Sequence, residues 1–111
     1  VRTSRRAAVN SDRRFEVIAV IGAPCIRRLD GAAVPPVALG LTSRLVNACE
    51  DWAAFYTDVA GDLGDPAVAH EFVSQGYKIA HKIRGELKGS EVWFVHPVTL
   101  EREQIVRTVP R

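Results

Sequence analysis

The chain has no methionine, only 2 cysteines and few aromatic residues, 7% of its 111 positions. Cys25 and Cys49 stand alone, with no CxxC pair, no His-rich tract and no companion spacing of the kind zinc requires, which excludes a disulfide-stapled or zinc-built scaffold. They are expected as free thiols in or near the core of a cytoplasmic protein, with a disulfide between them as the main alternative. Long apolar runs are also missing. The longest covers residues 17–23, far short of the roughly 20 residues a membrane helix needs, so no membrane contact is expected. The arginines at the start do not lead into a signal peptide, because residues 15–21 carry Glu16, alternate like a strand and soon reach Arg27-Arg28. Val1 and the lack of Met fit either a non-standard start codon or a processed or truncated amino terminus. No GxSxG, HExxH, P-loop or GxGxxG motif occurs, so no local pattern points to an enzyme, a catalytic residue or a cofactor.

What is present is an ordinary globular composition, 47% hydrophobic and 25% charged. A chain this short forms one core. Residues 1–14 contain Arg2, Arg5, Arg6, Arg13 and Arg14 against a single acid, Asp12, and are expected to form a basic arm outside the domain of residues 15–111. The arm carries net +4 where the whole chain carries +2, which leaves the body slightly acidic, near −2.

Periodicity divides the body into five elements. Residues 15–21 have the β-branched density of a strand closed by Gly22-Ala23-Pro24. Residues 25–34 form a connecting loop with a turn at Asp30-Gly31 and room for one small hairpin. Thr42 or Ser43 caps a first helix whose apolar stripe is Leu45, Ala48, Cys49, Trp52, Tyr56 and Val59, and residues 61–64 end it. Asp65-Pro66 starts a second helix with Phe72, Val73, Gly76, Ile79, Ala80 and Ile83 on one stripe, stopped by Gly89. Residues 91–96 make a second strand, and residues 100–109 a third that returns antiparallel along the edge. The fold predicted is α+β: a small, antiparallel-containing sheet of about three strands, order β-α-α-β-β, with two amphipathic helices packed on one face.

One set of residues carries a resemblance. Gly22-Ala23-Pro24, Asp30-Gly31, residues 39–45, Trp52, Tyr56, Asp65-Pro66, Phe72, Gly76 and residues 79–87 together resemble a group of small uncharacterised bacterial proteins, largely actinobacterial. The likeness spans roughly residues 17–96, implies a bacterial domain of this size, and assigns no catalytic residue. The Arg-rich leader is not part of the pattern.

Four side chains form a second stripe on the second helix: His70, Ser74, Tyr77 and His81 lie within about 60° of one another, opposite Phe72 and Ile83. An ordinary solvated face is the plainer reading, and a partner-binding face the sharper one, because Tyr is favoured at interfaces. Metal binding is not expected, since His70 and His81 stand about 16 Å apart along the axis. His96 could serve as a general base if a carboxylate faced it, though a lone His at a strand end more often caps a turn. Trp52, Phe55, Tyr56, Trp93 and Phe94 could line a ligand pocket, but core packing accounts for them more simply.

The expectation is therefore a cytoplasmic, non-enzymatic interaction module that binds another protein or itself as a homodimer. A nucleic-acid-associated role through the arm is the first alternative, and a small immunity-like, toxin-neutralising binder the second.

Overall fold

The computed structural model describes residues 13–106. Four strands, β1 (Arg14–Val17), β2 (Ile26–Arg28), β3 (Glu91–Val95) and β4 (Arg102–Ile105), form one mixed sheet in the order β2-β1-β3-β4. Two helices, α1 (Ser43–Val59) and α2 (Pro66–Glu86), lie between β2 and β3 in the chain, with 3₁₀ turns at Pro36–Leu39 and Ala60–Asp62. β1 runs antiparallel to β2 and parallel to β3, and β4 returns antiparallel to β3. A parallel pair needs a long crossover, and the two helices supply it.

The sheet holds one strand more than expected. β2 lies in the segment read as a loop, and the bridge from Arg27 to Ala33 completes a small hairpin there. β1 is shorter than expected, because Gly22 (φ 77°) turns the chain back towards β2 and leaves Ile21 61% exposed. Ladder bonding still reaches Ile18, whose N–H donates to the Cys25 carbonyl at 2.8 Å. β4 begins two residues late, since Leu100 takes a positive φ of 63° in the preceding turn, and residues 107–109 of the predicted strand lie outside the described residues.

Both helices start where their caps indicate. Thr42 Oγ1 accepts the Leu45 N–H at 3.3 Å, and Asp65 Oδ1 accepts the Ala67 N–H at 2.9 Å, with Pro66 at the first helical position. The Thr42 hydroxyl and backbone N–H also donate to the two carboxylate oxygens of Glu86, each at 2.8 Å. The start of α1 is thereby tied to the last turn of α2.

The core lies between the helices and one face of the sheet. Phe15, Val17, Ile26, Val92, Phe94 and Ile105 meet Leu45, Cys49, Trp52, Phe72, Ile79 and Ile83 there. Each large side chain so buried contributes about 1.5–3 kcal/mol. Trp52 sits at the centre, stacked on Phe72 at 4.6 Å between centroids and tilted against Phe94 at 6.2 Å, while its indole N–H donates to the Phe72 carbonyl at 3.0 Å. Such close approach requires Gly76 on α2, where a Cβ would stand 2.5 Å from Trp52 Cζ2 and 2.6 Å from Phe94 Cε1. Trp52 and Phe94 are therefore core residues.

Candidate partner-binding surface

Strand alternation decides what the other face of the sheet presents. With Phe15, Val17, Val92, Phe94 and Ile105 turned to the helices, Arg14, Glu16, Arg27, Glu91, Trp93, Arg102 and Gln104 turn away from them. Arg27, Glu16, Trp93 and Gln104 form one row across all four strands. Glu16 is buried, with 4% of its surface exposed, and is held from both sides: Arg27 Nε reaches Oε1 at 2.7 Å and Arg102 Nε reaches Oε2 at 2.9 Å. Arg102 crosses Trp93 on the way, its guanidinium 5.2 Å from the indole centre. The Trp93 N–H donates to Glu91 Oε1 at 3.1 Å, and Glu91 also pairs with Arg14 at 3.2 Å. The result is a face of three arginines around a half-buried tryptophan, with one carboxylate locked beneath them.

β4 borders that face and pairs with β3 alone among the described strands. Of the five exposed large hydrophobic residues among those described, three flank this strand: Val98 and Leu100 in the turn before it, 52% and 67% exposed, and Val106 directly after it, 61% exposed. Apolar side chains at both ends of an edge strand suit it to pairing with another strand.

The stripe expected on α2 divides. His70 and His81 are exposed and Ser74 is half-buried. Tyr77 turns to the sheet: its ring lies 4.4 Å from that of Phe94, and its hydroxyl donates to Glu103, which projects from β4 towards the helices. That hydrogen bond, with lesser contributions from burial and from the Glu103 charge, pushes the Tyr77 hydroxyl up to about 12. Tyr77 therefore belongs with the β4 edge, and the two histidines stay apart from it on the solvent side. Among the described residues no group of three or more His, Cys, Asp or Glu is placed to hold a metal ion.

His96 caps the β3–β4 turn. Its Nδ1 accepts the N–H groups of Val98 and Thr99, each at 3.2 Å, so the proton of the neutral ring sits on Nε2. It borders a hollow of about 290 Å³ with Tyr77, Glu101, Arg102 and Glu103, whose two carboxylates are exposed. Arg13 and Arg14 of the basic arm lie at the sheet, where the Arg13 carbonyl accepts the Glu91 N–H at 2.7 Å and Arg14 opens β1. Arg2, Arg5 and Arg6 lie outside the described residues.

Sequence reasoning missed the Glu16 cluster. A single Glu between Phe15 and Val17 was the available signal, because a carboxylate in the middle of a central strand must find cationic partners. Fold and surface together define, among the described residues, a two-layer α+β domain with an arginine-rich outer sheet face and a β4 edge that no other described strand pairs. No family model and no curated protein matches the chain. No helix among the described residues is long and apolar enough to cross a membrane.

Proposed function

We propose that this domain is a cytoplasmic, non-enzymatic protein-interaction module that takes its partner along the β4 edge. The observation that carries the reading is the edge of β4, which no described strand pairs beyond β3, with exposed Val98, Leu100 and Val106 around it. A second copy of the chain is the simplest occupant, since two such edges meet about a twofold axis and join two sheets into one. Static light scattering of the full chain at low and high salt tests this. A dimer at both salts that becomes a monomer in Val106→Lys supports the reading, provided the variant keeps its melting temperature. A wild-type monomer refutes self-pairing, and a dimer unaffected by Val106→Lys and Leu100→Lys places the contact elsewhere.

A second reading rests on a different observation, the grouping of Arg14, Arg27 and Arg102 around Trp93 on the outer sheet face. Arginines beside an aromatic ring suit a nucleic-acid strand, the arginines towards phosphate and the ring towards a base. Salt-dependent retention on single-stranded DNA or RNA that persists without residues 1–12 and falls in Trp93→Ala would favour this face. Retention lost with residues 1–12 alone would assign binding to the arm.

A further inference from the structure

Cys25 and Cys49 are the chain's only sulfur-bearing residues, and the fold brings them together from different layers. Cys25 stands at the entry to β2, its carbonyl held by the Ile18 N–H at 2.8 Å, and Cys49 lies on the inner face of α1 between Leu45 and Trp52. Both are free and buried, 1% and 0% exposed. Both also line one cleft of about 440 Å³, between Pro24, Pro35 and Pro36 on one side and Ala53 and Ala54 of α1 on the other. Packing alone does not require two thiols on one cleft, because other small apolar residues are also common in cores.

We propose that Cys25 and Cys49 form a redox-active dithiol that hydrogen peroxide, entering through this cleft, oxidises to an intramolecular disulfide. The cleft reaches both thiols, and they influence each other: interaction with Cys25 lowers the Cys49 thiol, against burial and the nearby charges of Glu50 and Glu86, while interaction with Cys49, together with burial, pushes the Cys25 thiol up. Cys49 is the attacking group and Cys25 the resolving one. The Cys49 thiolate attacks a peroxide oxygen; an S–O bond forms, the O–O bond breaks, and the departing hydroxide takes a proton to become water. Cys25 sulfur then attacks the Cys49 sulfenic acid; the S–S bond forms, the S–O bond breaks, and the leaving hydroxyl carries the Cys25 proton away as a second water. Two thiols are oxidised by two electrons and one peroxide is reduced to two waters. The product ties the entry of β2 to α1.

Hydrogen peroxide titration of the full chain, read by intact mass and peptide mapping under non-reducing conditions, tests the proposal. The expected product at one equivalent has lost two hydrogens, maps to a cross-link between Cys25 and Cys49, melts several degrees higher and returns to the starting mass with dithiothreitol. In Cys25→Ser the sulfenic acid on Cys49 persists and is trapped by dimedone; Cys25→Ala serves where the serine variant folds poorly. Three results would overturn the proposal: thiols untouched at peroxide concentrations that fully oxidise glutathione, cross-links between chains, or sulfinic acid on Cys49 with Cys25 still free. The wild-type measurement needs no variant to give any of them.

Discussion

Replacing Gly76 by alanine sets two effects of opposite sign against each other at one position. Alanine is the better helix former by about 1 kcal/mol, which favours the substitution. The added methyl would lie 2.5 Å from Trp52 Cζ2 and 2.6 Å from Phe94 Cε1, whereas carbon atoms in contact rest about 3.5–4.0 Å apart. Each ring would have to retreat by about 1 Å. Neither is free to do so. Trp52 is pinned by its bond to the Phe72 carbonyl and by stacking on that ring, and Phe94 lies on a central strand under Tyr77. Overpacking of this kind costs about 1–3 kcal/mol, and two blocked rings place it at the upper end, so a net loss of about 2 kcal/mol remains. At about 4–8 °C per kcal/mol for a domain of this size, Gly76→Ala should melt roughly 8–16 °C below the wild type. Gly85 provides the internal control: it lies on the same helix with nothing within 4 Å of its would-be Cβ, so Gly85→Ala should stabilise by up to about 1 kcal/mol. Urea and thermal unfolding followed by circular dichroism measure both. A Gly76→Ala protein as stable as the wild type would refute the claim that the helix–sheet approach is fixed by these rings.

Two further outcomes follow from the side chains around the sheet. Glu16→Gln should lower stability by about 1–2 kcal/mol, seen as a reduced urea midpoint at unchanged m-value, because it weakens two charge-assisted bonds whose arginines are 36% and 47% exposed and recover water when released. Tyr77 donates to Glu103 only while neutral, and its folded-state pKa of about 12 lies above the ordinary value of 10. Its contribution to stability is therefore complete below pH 10 and lost as pH rises towards 12, and the late step in tyrosinate absorbance should vanish in Tyr77→Phe.

Local signals predicted the helices well because each is bounded by chemistry that acts within one turn. Thr42 and Asp65 cap their own helices, and the apolar stripes of α1 and α2 face the core as their 3.6-residue spacing requires. β2 was harder to read, since Ile26-Arg27-Arg28 is too short and too basic to look like a strand and becomes one by pairing with β1. The candidate surface was legible only in part. His70 and His81 lie on the outer side of α2 as their spacing indicates, whereas Tyr77, at the border of that stripe, is drawn to the sheet by Phe94 and Glu103. The bonds from Arg27 and Arg102 to Glu16 join residues far apart in the chain and have no local signature.

The parallel pairing of β1 with β3 has a consequence for how the chain acquires its structure. Arg14 and Glu91 are register partners although both helices and β2 lie between them in the chain, so the central ladder closes a very long loop, while the β1–β2 hairpin and the α1–α2 pair depend on short-range contacts. During synthesis β1 emerges before β3 and remains without its central neighbour until β3 has left the ribosome. Throughout that interval the strand destined for the interior of the sheet is an exposed edge carrying Phe15 and Val17. Until β3 arrives, the segment of this protein most open to misassembly is the one most fully enclosed in the finished fold.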